Sequence, residues 1–372
     1  MHERHHPLRH VPLGTAREVV SFHYGPADTG RKVYVQASLH ADELPGMLVA
    51  HHLRRRLLGL ESEGALRGEV VLVPVANPIG LAQSVLRQSQ GRFDLATGEN
   101  FNRHYPSLLQ PVLARVGTAL GPDEAVNAGF IRRALREAAA EAAETTELES
   151  LRKTLIGLAC DAEVVLDLHC DGESVLHLYT GTPLWGQCEP LARYLGAQAT
   201  LLATESGDNP FDEACSQTWW QLAAHVGGSV PVTMGCLSVT GEFRGEAEVS
   251  HPQAERDAGA LVDFLRHRGI VAGEAPPLPP LLRPATPLEG SDAITTPVGG
   301  VLVFQRGPGD WIVVGEAVAE VVDPLTAQVT VLRSRTEGLL YARETRRFVH
   351  AGASVCKVAG SVPFRSGKLL SA

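Results

Sequence analysis

Val33-Tyr34-Val35-Gln36-Ala37-Ser38-Leu39-His40-Ala41-Asp42-Glu43-Leu44-Pro45-Gly46 is the stretch on which the fold turns. Its first seven residues, mostly apolar, aromatic or β-branched, read as a buried strand. Pro45-Gly46 then opens a pattern over 46–60 with apolar residues at helical intervals. His40 and Glu43 lie between strand and helix, spaced so that both side chains converge from one tight turn. A second stretch far downstream, Leu166-Asp167-Leu168-His169-Cys170-Asp171, is another apolar strand carrying a histidine at its end. Two imidazoles and a carboxylate are the ligand set of a hydrolytic zinc site, one ion per subunit, with one position kept open for water. His169 is too distant to share a turn with Glu43, so it must arrive on another strand of the same sheet.

The segments around these two stretches fit that requirement. Glu69-Val70-Val71-Leu72-Val73-Pro74-Val75 reads as a second strand, and residues 122–159 as helix with a break near Thr145-Thr146. Val175-Leu176-His177-Leu178-Tyr179 and Gly235-Cys236-Leu237-Ser238-Val239-Thr240 read as further strands, and 252–268 as a terminal helix. Strands alternating with helices predict an α/β fold, a mixed or mostly parallel central sheet flanked by helices. In such sheets sites gather at the carboxyl ends of strands, and His40, His169 and Glu242 each follow a predicted strand. The proline-rich run over 275–290 separates a catalytic domain, 1–274, from a small all-β domain, 291–372. Within the latter, Gly300-Val301-Leu302-Val303 leading to Ala317-Val318-Ala319 is echoed by Gly338-Leu339-Leu340-Tyr341 leading to Ser354-Val355-Cys356. The echo suggests a pseudo-symmetric barrel or sandwich.

Bulk properties narrow the function classes. The 372 residues are 44% hydrophobic and 20% charged, an ordinary globular composition. A formal net charge of −9 provides no basic field for nucleic acid or an anionic membrane, which leaves a small molecule as the expected partner. Self-assembly is left open. No run approaches the ~20 apolar residues of a membrane helix, and the first ten residues lack the apolar core of a secretory signal. The six cysteines show no paired spacing and read as reduced, buried thiols of a cytoplasmic protein. The early histidines His2, His5, His6 and His10 read as a loose solvated terminus.

Hydrolysis at a metal also needs a base for the water and cations for the developing oxyanion. Glu242, in Val239-Thr240-Gly241-Glu242-Phe243-Arg244-Gly245, sits at a strand end between glycines and is the candidate base. Asp171 and Asp167 are alternative hydrogen-bond partners for His169, since a metal-binding imidazole needs its second nitrogen satisfied. Among cations, Gly91-Arg92-Phe93-Asp94 and Asn100-Phe101-Asn102-Arg103 stand out. Arg103 with Asn102 offers a guanidinium fork and an amide suited to a substrate carboxylate.

Taken in order, His-x-x-Glu, Asn-x-Asn-Arg, Asp-Leu-His and a strand-end Glu resemble the succinylglutamate desuccinylase/aspartoacylase family, a branch of the zinc carboxypeptidase superfamily. The resemblance covers roughly residues 30–270, and the small β-domain is similar to that family's C-terminal domain. It implies zinc held by His40, Glu43 and His169, with Glu242 as general base and Asn102 and Arg103 on the substrate carboxylate. Arg92, with Arg87 as the alternative, would polarise the carbonyl, and Arg244 would read a second carboxylate. Aspartoacylases have Asp-Leu-Asn-Arg where this chain has Asn100-Phe101-Asn102-Arg103, a departure that bears on the acyl group, as does the segment 205–220, read as a loop. The activity implied is a zinc-dependent deacylase for a small N-acyl amino acid. Its rivals are a peptide-cleaving zinc carboxypeptidase and a non-catalytic metal-dependent binding protein.

Overall fold

The runs at Lys32–Ala37, Val164–Asp171 and Leu237–Gly245 are apolar on both faces, as parallel strands covered by helices on either side must be. They lie side by side in parallel at the middle of a nine-stranded sheet. The computed structural model describes residues 1–370 except Asp28, Thr118 and Ser229. Across the sheet the order is His2–Pro7, Glu18–Tyr24, Glu69–Val73, Lys32–Ala37, Val164–Asp171, Leu237–Gly245, His177–Gly181, Ala199–Ala203 and Thr286–Pro287. Antiparallel pairs occur at the first strands and between Leu237–Gly245 and His177–Gly181, so the sheet is mixed.

Alternation along the strands divides the interior in two. Val33, Val35 and Ala37 pack on the helices Pro45–Ser62, Trp185–Leu195 and His251–His267. Tyr34 and Val165 face the opposite layer, built from Leu109–Val116, Glu124–Glu141, Glu147–Ala159 and Phe211–Val226. The helix break falls at Thr146, whose hydroxyl accepts the Glu149 N–H in a reciprocal capping box.

Two expectations change. The histidine-rich terminus is not loose: His2–Pro7 pairs in full antiparallel register with Glu18–Tyr24. His6 Nε2 contacts Ser21 Oγ at 2.8 Å, and His5 Nδ1 contacts Glu18 at 2.8 Å. It carries no apolar alternation because it is an exposed edge, held by backbone ladder bonds rather than burial. The segment 205–220 is likewise not a loop throughout, since the helix Phe211–Val226 begins inside it.

After the proline-rich run the chain forms two antiparallel sheets around one core that includes Leu302, Val318, Leu340 and Val358. The sequence echo has a structural counterpart. Gly300–Phe304 pairs with Ala317–Val322 in one sheet, and Gly338–Arg343 pairs with Ser354–Gly360 in the other. The connector is strapped to the larger domain: Arg193 Nε donates to Pro279 O at 2.6 Å and Tyr194 Oη to Pro276 O at 2.6 Å. Thr286–Pro287 then adds an edge strand beside Ala199–Ala203. The residues directly after His169 join the β-domain in turn. Glu173–Ser174 pairs with Gly338–Arg343, and Lys357 Nζ donates to Asp171 Oδ2. No helix among the described residues is long and apolar enough to cross a membrane.

Candidate active site

The turn carrying His40 and Glu43 is pinned by its neighbours. Glu43 N–H donates to His40 O at 3.1 Å, Ala41 N–H to Gly91 O at 3.0 Å, and Asn77 Nδ2 to Leu39 O at 2.9 Å. Gly91 must be glycine here, because a Cβ on it would sit 2.1 Å from Asp42 N. The turn presents the Glu43 carboxylate between two rings: Oε1 lies 2.9 Å from His40 Nδ1 and Oε2 lies 2.7 Å from His169 Nδ1. Cys170 N–H also donates to Oε2 at 3.1 Å. The three potential ligand atoms of His40, Glu43 and His169 lie within 4.8 Å of one another.

The far nitrogens of both rings face acceptors. His40 Nε2 lies 2.9 Å from Asn100 Oδ1, and His169 Nε2 lies 2.9 Å from Asp167 Oδ2, there with poor hydrogen-bond alignment. Asp167 Oδ1 accepts from Gln36 Nε2 at 3.0 Å, and Gln36 Oε1 accepts from Tyr34 Oη at 2.8 Å. The Asn100 oxygen at Nε2 of His40 favours the ring proton there and leaves its Nδ1 lone pair directed at the centre. Glu43 oxygens lie against both Nδ1 atoms, an arrangement suited to a cation among them, and Arg92 Nη1 already stands 3.3 Å from His40 Nδ1. Burial, reinforced by Arg92, lowers the His40 pKa and disfavours its charged form. For His169 burial acts the same way, but the Asp167 and Glu43 carboxylates outweigh it and raise the pKa well above the usual value. The donor set therefore fits a divalent ion, which His40, Glu43 and His169 would hold.

Glu242 is the direct register partner of His169 across the parallel pair. Its Oε2 is buried without a hydrogen-bond partner. Burial, with the Glu43 charge added, pushes its carboxyl up to about 8, and a cation in the cradle would pull it back down. Glu242, His40 and His169 face a cavity of about 270 Å³ together with Arg92, Asn102 and Arg103. The opposite wall comes from the β-domain and the tail beyond it: Tyr341, Lys357, Arg365, Leu369 and Leu370. A larger groove of about 670 Å³, beside Trp311 and Phe364, contains none of the metal-cradle residues nor Glu242.

A sequence profile described as the succinylglutamate desuccinylase/aspartoacylase catalytic domain matches residues 29–268. The chain belongs to this family. Among solved structures, a succinylglutamate desuccinylase/aspartoacylase family protein from Shewanella amazonensis is 25% identical, with a TM-score of 0.82 over 96% of this chain and 98% of that one. A protein of the same description from Shewanella frigidimarina is 23% identical, with a TM-score of 0.82 over 96% of each chain. The product-bound ectoine utilization protein EutE (DoeB) from Ruegeria pomeroyi shares the fold at 16% identity, with a TM-score of 0.68 over 96% of this chain and 94% of that one. No curated protein matches the sequence. The succinylglutamate desuccinylase/aspartoacylase family consists of deacylases, which makes this chain a hydrolase at the coarse level.

Three of the candidate residues read from the sequence lie elsewhere than expected, and two more are engaged within the protein. Arg244 turns out of the cavity and makes two bonds to Asp257, at 2.8 and 3.0 Å. A register shift after Glu242 and a positive φ of 69° at Arg244 swing the chain toward the helix His251–His267. Arg87 is exposed at the tip between the short strands Ser84–Val85 and Gln88–Ser89. Arg92 instead reaches the cradle, its Nη1 being 3.3 Å from His40 Nδ1 and 3.4 Å from Glu43 Oε1. Asp171 bonds Lys357, leaving Asp167 as the carboxylate beside His169. Residues 167, 169 and 171 all lie on one face of the strand, so the separation comes from the register shift between 169 and 171 and from Lys357, which draws Asp171 toward the β-domain. Asn102 accepts the Phe211 N–H through Oδ1 at 2.9 Å, and Arg103 Nη1 donates to Asn102 O at 2.7 Å. Both are buried in the cavity wall. Asn100 bears on His40 and is absent from the cavity lining. Gln36, Lys357 and Arg365 had no local signal in the sequence, although Gln36 is a polar residue inside a buried strand and needed a partner.

Proposed function

We propose that this chain is a zinc-dependent deacylase that hydrolyses the amide bond of a small N-acyl amino acid. The observation that carries the reading is Glu242 in register with His169, at the edge of the His40–Glu43–His169 cradle and inside a cavity closed by a second domain. Bound there, the ion would polarise the scissile carbonyl and lower the pKa of a water toward ~7. Glu242 takes the proton of the attacking water and hands it to the departing amine. Arg92, within reach of the cradle, offsets negative charge growing on the carbonyl oxygen. Arg103 and the Asn102 amide orient the substrate carboxylate, so that the amide meets the water in one geometry.

A cavity of about 270 Å³ walled by both domains supports a small substrate over a polypeptide. The six buried, unpaired cysteines are compatible with a reducing compartment, and cytoplasmic residence is part of the proposal. The test is release of free amine by the zinc-loaded enzyme from a panel of N-acyl amino acids beside short peptides. Turnover of the acyl amino acids is expected; turnover of peptides alone would overturn the assignment.

A further inference from the structure

The cavity wall facing the metal cradle is completed by the tail of residues 364–370, which no site motif of the sequence included. Four anchors fix this tail. Phe364 N–H and Arg365 N–H both donate to Glu289 O at 3.1 Å. The Arg365 guanidinium donates to Ser291 O at 2.9 Å and to Leu369 O at 2.6 Å. Leu369 N–H donates to Ser206 O at 2.9 Å, and Lys368 Nζ pairs with Asp208 at 2.8 Å. The receiving loop is shaped for the contact: Gly207, at φ +102°, lies against Lys368, and a Cβ there would come within 3.2 Å of its Cγ. So anchored, Leu369 is 5% exposed and packs with Leu288 and Tyr341, while Leu370 is half-buried at the cavity.

The chemistry of this wall is apolar where the charges are already paired. Lys357 is bound to Asp171, and the Arg365 fork is occupied by the two carbonyls that staple the tail. Arg92 and Arg103 line the same cavity but are committed, in the proposed reaction, to the carbonyl oxygen and the substrate carboxylate, and the carboxyl groups of Asp212 and Glu242 offer a further anion no partner. Building on the deacylase reading, we infer that Leu369 and Leu370 form the acyl-binding wall, and that the acyl group is short, uncharged and apolar rather than a dicarboxylic one such as succinyl.

The test measures kcat/KM of the zinc-loaded full chain on N-acetyl, N-butanoyl and N-succinyl derivatives of one amino acid, for the native protein and for Leu370→Ala and Leu370→Trp. The native enzyme is expected to favour the acetyl over the succinyl compound by about tenfold or more. Leu370→Ala should raise the butanoyl-to-acetyl ratio roughly tenfold and Leu370→Trp should lower it, the range one methylene commands in an apolar pocket. Leu370 is half-buried, so both variants should fold; if one does not, the other still decides the direction. Equal or better use of the succinyl compound overturns the inference, as do ratios unmoved by both variants. The same variants are assayed on N-acetyl derivatives of a second amino acid, and a response confined to the change of amino-acid side chain overturns the assignment of this wall to the acyl group. These outcomes leave the deacylase reading standing, whereas no turnover of any N-acyl amino acid removes both.

Discussion

Glu242 illustrates how one side chain's environment prepares its chemistry. A carboxylate with an unpartnered oxygen is costly to bury, and proteins retain such groups where they act. Replacing it by glutamine keeps the shape and removes the proposed base. Glu242→Gln should lower kcat by on the order of 10²–10⁴ while zinc stays stoichiometric by elemental analysis. Near-native turnover in that variant would take Glu242 out of the mechanism. The residue itself was legible in the sequence as a lone acid between glycines at a strand end. Asp167 was harder to read, because Asp171 stands equally near His169 along the chain. Strand alternation puts both on the face of His169, and only the pairing of Asp171 with the remote Lys357 separates the two.

At the scale of elements, the parallel strands were readable from their Val- and Leu-rich runs. The sheet's far strands and the helix Phe211–Val226 were not, since their neighbours in space are remote in sequence. The start of that helix carries its own consequence. Glu213, in its first turn, accepts the Ser206 N–H at 2.7 Å, yet burial, followed by the charge of Asp212, pushes its carboxyl up to about 7. Between its ordinary value of 4.5 and about 7 the folded state binds more protons than the unfolded state. Its contribution to stability is therefore full below 4.5 and is lost as pH rises through about 7. Denaturant unfolding followed across pH 4.5–7 should show this decline, flattened in Glu213→Gln. An unchanged slope in the variant would assign the pH dependence to other groups.

On the scale of the whole molecule, the C-terminal β-sheets are joined to the α/β part just beyond His169, and Asp171–Lys357 is one charged link there, beside the pairs of Glu173 with Arg343 and Arg347. Lys357→Met leaves Asp171 without its counter-charge. The expected loss is on the order of 1–3 kcal/mol, below that for fully buried pairs because the two side chains keep 24% and 29% of their exposure. Calorimetry should find a lower thermal midpoint for Lys357→Met and partial recovery in Asp171→Asn/Lys357→Met; a double variant as unstable as the single one would deny the pairing its role. The sequence by itself determined the α/β architecture, the β-rich C-terminal part and the residue types of the metal cradle, because hydrophobic period and short spacing are local properties. Tertiary structure alone decided which arginine reaches the cradle, which aspartate backs His169, and that residues 364–370 return to wall the cavity. Those outcomes depend on register, on the chain's swing after Glu242 and on contacts between segments far apart in the chain, none of which leaves a local pattern.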